Sequence, residues 1–164
     1  MYDLKFGDCL ELMKDISNQS IDMIICDMPY NLTQHKNDIL IPLDLLWKQY
    51  ERIIKNNGVI ALFGQGTFYI DLVNSNRKLF RYDIIWDKVL TTGFLNANRM
   101  PLRSHEQIAI FYKSQPLYFA QLKTGLPLHS KGKEYIKKIP KNQNYGKFNV
   151  TDDSRAGETQ KYPS

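Results

Sequence analysis

The stretch IDMIICDMPYNLTQ, residues 21–34, runs from an apolar segment into an aspartate, a Met-Pro pair and a tyrosine, and then into polar residues. Ile21 to Cys26 is short and apolar, the pattern of a strand buried on both faces in a parallel sheet. The Asp-x-Pro that follows is ordinary turn chemistry. Ligands of α/β sheets, however, collect at the carboxyl ends of strands. There Asp27, Met28, Pro29 and Tyr30 set a carboxylate, a stiff turn and an aromatic ring side by side. Those groups also suit a grip on something flat that carries an amine.

On the amino-terminal side, Leu4 to Phe6 is expected as a short strand and Asp8 as the N-cap of a helix. Glu11 stands in capping-box spacing, and Cys9, Leu12, Met13 and Ile16 share one helical face. On the carboxyl side, Pro42 and Asp44 open a helix with Leu43, Leu46, Tyr50, Ile53 and Ile54 facing a core, and Asn57-Gly58 supplies C-cap chemistry. Val59 to Phe63 is another apolar strand. Gly64-Gln65-Gly66 then turns into a second helix capped by Thr67, and Tyr82 to Trp86 and Gln107 to Tyr112 are two further strands. Strands alternating with helices predict an α/β layered sheet over residues 1–112. From Lys113 the periodicity fades into Gly, Pro, Asn and Lys with interspersed aromatics, so residues 113–164 are expected as a loop-rich segment.

A chain of 164 residues, 43% hydrophobic and 24% charged, has the composition of a globular domain rather than a disordered tail. No apolar run reaches the length of a membrane span and no signal peptide precedes Phe6-Gly7-Asp8, so a cytoplasmic protein with no membrane partner is expected. Cys9 and Cys26 fit neither a metal site nor a disulfide framework, and His35, His105 and His129 share no metal spacing. Residues 1–112 carry 12 Lys/Arg against 13 Asp/Glu, whereas residues 113–164 carry 10 against 4. The basic back half suits a polyanion, and a solvated lysine-rich loop would carry the same charge.

The chemistry of Asp27 to Tyr30 is specific about what it would hold. An exocyclic amine on a nucleobase is a poor nucleophile because its lone pair is delocalised into the ring. Two acceptors on its two N–H groups favour a pyramidal nitrogen and free that pair. An ionised Asp27 is acceptor-only and offers one. The carbonyl of Met28 offers the second, held extended because Pro29 disfavours the helical conformation before it. Tyr30 is placed to stack on a base drawn out of its helix.

With these residues the chain resembles the amino-methylating DNA methyltransferases of the Asp-Pro-Pro-Tyr type. The resemblance extends to Gly7-Asp8-Cys9-Leu10-Glu11, to Ile41-Pro42-Leu43 with Leu46-Trp47, and to Ile53-Ile54-Lys55 with Gly58. It continues through Trp86-Asp87-Lys88, Gly93-Phe94-Leu95-Asn96-Ala97 and Pro101-Leu102-Arg103-Ser104-His105-Glu106. The order is similar to the branch in which the catalytic half precedes the cofactor half, with a target-recognition segment between them at residues 113–164. Met28 stands where that family carries a proline, which costs stiffness but keeps the carbonyl.

The resemblance implies a Rossmann-like, S-adenosylmethionine-dependent sheet and site-specific methylation of the N6 of adenine in double-stranded DNA, of the restriction-modification kind, in a bacterial or phage-infected cell. It implies catalytic roles for Asp27 to Tyr30 and cofactor contacts at Asp8, Cys9 and Asp27. DNA contacts are implied at Lys88, Asn96, Arg99, Arg103 and His105. Each has a plainer reading beside it: Asp8 as a helix cap, the cations as solvated charges, His105-Glu106 as a loop-positioning pair. The family continues past a Tyr-Pro like Tyr162-Pro163 into a block that holds the cofactor, so a truncated chain with an incomplete sheet is expected. Three alternatives stand beside the adenine reading: an N4-cytosine enzyme, a non-catalytic DNA-binding remnant, and one half of a split enzyme completed by a complementary chain or a second copy. Leu62-Phe63-Gly64-Gln65-Gly66 reads as a strand-to-helix turn, not as a displaced cofactor loop.

Overall fold

Apolar positions spaced for helix at Leu46, Tyr50 and Ile53, and apolar runs at residues 21–26 and 59–63, bury themselves against each other and set the architecture. The computed structural model describes residues 2–31, 36, 38–125 and 159–161. In chain order these form helix α1 (Cys9–Leu12), strand β1 (Ile21–Cys26), helix α2 (Leu43–Ile53), strand β2 (Ile54–Gly64), helix α3 (Gly66–Ser75), strand β3 (Phe80–Thr92) and strand β4 (Arg103–Phe111). Short 3-10 turns cover Met13–Asp15 and Phe94–Asn96. The chain divides into two compact units, residues 1–117 and 118–164. In the second, strand β5 (Lys123–Thr124) pairs antiparallel with β6 (Gln160–Lys161). Most of the basic segment, with His129, lies outside the described residues, as does His35.

The main sheet has the order β1-β2-β4-β3. β1 and β2 are parallel, Ile24 opposite Ile60 and Cys26 opposite Leu62. β4 runs antiparallel to both β2 and β3. One face is covered by α2 and α3. Leu46, Trp47, Tyr50, Ile53, Phe68 and Leu72 pack there on Ile60, Leu62, Ala109 and Phe111. Trp47 joins the layers: its Nε1 donates to Ser75 Oγ at 2.7 Å, and its ring sits 4.8 Å from that of Phe111. Arg52, at the end of α2, donates to the carbonyls of Met13 and Ile16 and to Asn18 Oδ1 at 2.6–2.7 Å, which clamps the loop leading into β1.

Several sequence expectations are corrected. β1 has the expected bounds but is not buried on both faces. Among the described residues it is the sheet's edge, and Met23 and Ile25, on the face away from the helices, are 52% and 63% exposed. Leu4 to Phe6 forms no strand; these side chains find no layer to pack on and stay exposed. Asn57-Gly58 does not end a helix. α2 stops at Ile53, and residues 55–58 bulge where the register steps from Ile21/Ile54 to Met23/Val59. Gly58 is required there because a Cβ would come within 2.8 Å of the Asp22 carbonyl oxygen. Gln65, not Thr67, is the N-cap of α3.

Candidate functional site

Parallel pairing of β1 with β2 brings their carboxyl ends together, so Asp27 to Tyr30 lie beside the Gly64-Gln65-Gly66 turn. Antiparallel pairing then sets Gly64 opposite Gln107, which adds the amino-terminal half of β4 to the same end of the sheet. Residues far apart in sequence converge there for that topological reason.

Asp27 and Tyr30 are directly joined: the Tyr30 hydroxyl donates to Asp27 Oδ1 at 2.7 Å. Burial, then this hydrogen bond, then the charges of Asp27 and Glu106 push the Tyr30 phenol well above its usual range. It therefore remains a donor at neutral pH, and Oδ2 is the oxygen of Asp27 left over from this bond. The Tyr30 ring stacks on Phe68 from the first turn of α3, centroids 4.7 Å apart and planes 21° from parallel. Met28 is buried in the core, which anchors the turn between them. Beyond Tyr30, the N–H of Asn31, in a left-handed conformation at φ 56°, donates to Asp38 Oδ1 at 2.7 Å.

At the same end of the sheet is a cavity of about 250 Å³ lined by Gln65, Gly66, Arg103, His105, Glu106 and Gln107; Asp27 to Tyr30 are not in its lining. Gln65 ties its walls together. Its Oε1 accepts from Arg103 Nη1 at 2.7 Å, and its Nε2 donates to the His105 carbonyl at 3.1 Å. Glu106 faces the site and is paired with Lys88 across the β3–β4 ladder.

The residues expected to contact DNA fall in different places. Arg103 and His105 line the cavity, Asn96 and Arg99 lie on the β3–β4 connection, and Lys88 is turned to Glu106. Phe68 and Gln65 were not singled out from sequence. The only signal for them was their place just after a glycine turn at a strand's carboxyl end.

Asp8 caps α1, its Oδ1 accepting from the N–H groups of Leu10 and Glu11 at 2.8 and 3.3 Å. The returning half of the capping box is replaced by a Glu11–Lys14 ion pair. Partial burial first, and then the charges of Asp8 and Cys26, raise the Cys9 thiol. Carboxylates and thiols suit an electron-poor, cationic group. Among the described residues no cluster of His, Cys, Asp or Glu could hold a metal ion. No helix among them is long and apolar enough to cross a membrane.

Comparison with known proteins is consistent with this geometry. A family model described as DNA methylase, of the N6/N4 kind, matches residues 21–163. The type II methyltransferase M.HinfI of Haemophilus influenzae is 30% identical, over 50% of this chain and 30% of its own. The solved PvuII DNA methyltransferase, cytosine-N4-specific, superposes with a TM-score of 0.53 at 14% identity, covering 67% of this chain and 49% of that one. The M1.HpyAVI–SAM complex gives a TM-score of 0.49 at 20% identity, over 76% and 61%. The chain therefore spans less than a third of the curated relative's length and about half that of the PvuII enzyme.

Proposed function

The chain belongs to the N6/N4 DNA methylase family, and from that premise we propose that its Asp27–Tyr30 turn activates the N6 amine of an adenine drawn out of double-stranded DNA. The observation that carries this reading is the joined Asp27–Tyr30 pair at the carboxyl end of β1, with the ring backed by Phe68. A flipped base stacks on the face of Tyr30 away from Phe68. Asp27 accepts one N–H of its amine and the Met28 carbonyl accepts the other, which turns the nitrogen lone pair out of the ring plane. No covalent bond to the protein is needed, and the proton lost from the amine leaves by way of the carboxylate or water.

Asp8, Cys9 and Asp27 would hold S-adenosyl-L-methionine, which when bound supplies an electrophilic methyl group. Arg103 and His105 would meet the strand that carries the target, with Asn96 and Arg99 on its flank and Lys88 fixing Glu106. Aspartate rather than serine at the head of the motif favours adenine, by resemblance. The N4 amine of cytosine presents the same pair of N–H groups and is the second reading.

Calorimetric titration of S-adenosyl-L-methionine into the folded chain, with and without adenine-containing duplex, tests the proposal. Saturable binding that tightens with duplex is expected. Duplex binding with no cofactor binding under either condition would leave a DNA-binding module in its place.

A further inference from the structure

The connection from β3 to β4 presents apolar side chains to solvent beside the cavity, and it is built to hold them there. Phe94 and Leu95 are 76% and 84% exposed. Scattered surface apolar residues need no explanation, but a contiguous group on a projecting turn does. The ladder between β3 and β4 is regular from Phe80/Phe111 to Trp86/Glu106 and Asp87/His105 apart from one early step. It then jumps to Thr92/Arg103, setting residues 88–91 against Ser104 alone.

That bulge is fixed in place. Asp87 Oδ1 accepts from the Val89 N–H at 2.9 Å, and Val89 takes φ 63°, a left-handed conformation unfavourable for a β-branched residue. Gly93 turns again at φ 89°, and no side chain would contact a Cβ there, so its backbone conformation is what calls for glycine. The tip is closed by its own bonds, Asn96 N–H to the Gly93 carbonyl, Ala97 N–H to Phe94 and Arg99 N–H to Asn96, at 2.8–3.0 Å. Phe94 and Leu95 are therefore displayed on an ordered turn. Arg99 flanks them, and Arg103, paired with Thr92 at the base of the turn, lines the cavity.

We propose that Phe94 and Leu95 are a wedge that enters the base stack of duplex DNA next to the site, while Arg99 and Arg103 meet the adjoining phosphates. The inference rests on the functional reading above and names how the duplex is opened. Drawing out one base leaves a gap in the stack. Apolar side chains inserted between base steps fill such gaps and hold the neighbouring pairs apart. Cations around an apolar point match a duplex better than they match an apolar protein surface.

The test uses the 164-residue chain, a mixed-sequence duplex pool and two variants. Binding is followed by anisotropy of labelled duplex, and Phe94→Trp reports stacking through quenching of its emission relative to wild type. Quenching that saturates together with binding is expected, as is about tenfold weaker binding by the Phe94→Ala/Leu95→Ala double variant with an unchanged circular dichroism spectrum. Duplex binding with no added quenching in F94W, or undiminished binding by the double variant, overturns the wedge alone. Failure of the wild-type chain to bind duplex overturns the functional reading and the wedge with it.

Discussion

Phe68, in the first turn of α3, lies face to face with Tyr30, 38 positions earlier in the chain. The contact ties the turn after β1 to the helix after β2, so the aromatic wall of the site is set by sheet topology and not by its own loop. Stacked pairs of this kind contribute about 0.5–1.5 kcal/mol beyond their burial. Phe68→Leu keeps most of the buried volume and removes the platform. It should lower affinity for a flipped-base duplex by up to about tenfold, with a smaller change in the urea midpoint. Equal affinity in the two proteins would show that Tyr30 needs no backing.

The Tyr30 phenol titrates above its ordinary range because it is partly buried and bonded to Asp27. A group whose folded pKa is raised contributes stability that is complete below its unfolded value and is lost as pH rises beyond it. The Tyr30–Asp27 bond should therefore persist through neutral pH, and its contribution should decline only above the usual phenol value of about 10. In Tyr30→Phe that part of the alkaline loss should disappear, and so should one late step in the 295 nm phenolate titration. The buried Tyr50 supplies another late step that stays in both proteins.

Arg52 joins α2 to the segment before β1 through three short bonds to Met13, Ile16 and Asn18. Hydrogen bonds from charged groups are each worth about 1.5–3 kcal/mol, and the carbonyls left behind lose their partner. Arg52→Ala should destabilise the fold by at least about 2 kcal/mol in urea denaturation. Arg99→Ala, on an exposed turn, should change the stability by less than about 0.5 kcal/mol.

β1 is an edge strand whose outer face exposes Met23 and Ile25. Exposed apolar edges are templates for association. Ile25→Lys should raise the concentration at which the chain stays monomeric in sedimentation velocity without shifting its melting temperature downward. An unchanged association profile would place the sticky surface elsewhere.

Much of this architecture was legible in sequence because it depends on local pattern. β1 stands at Ile21–Cys26 as the apolar run predicts, and Asp8 caps α1 as its spacing to Glu11 suggests. What escaped was whatever two distant segments decide together. Asn57-Gly58 has the chemistry of a helix end, yet pairing with β1 makes it a bulge, where glycine is also needed. Leu4-Lys5-Phe6 alternates as a strand would, but no strand among the described residues pairs with it. Phe68 and Gln65 carry no motif, and only the sheet brings them to Tyr30 and Arg103.

The role proposed for Asp27 is activation of a base amine for methylation. It is tested most directly by incubating the chain with duplex DNA and methyl-labelled S-adenosyl-L-methionine, then separating the nucleosides of the hydrolysate. Label in N6-methyladenine is expected, reduced by at least about a hundredfold in Asp27→Ala, which removes an acceptor needed in the transition state. Label in N4-methylcytosine would contradict the choice of base, and equal labelling by Asp27→Ala would contradict the mechanism itself.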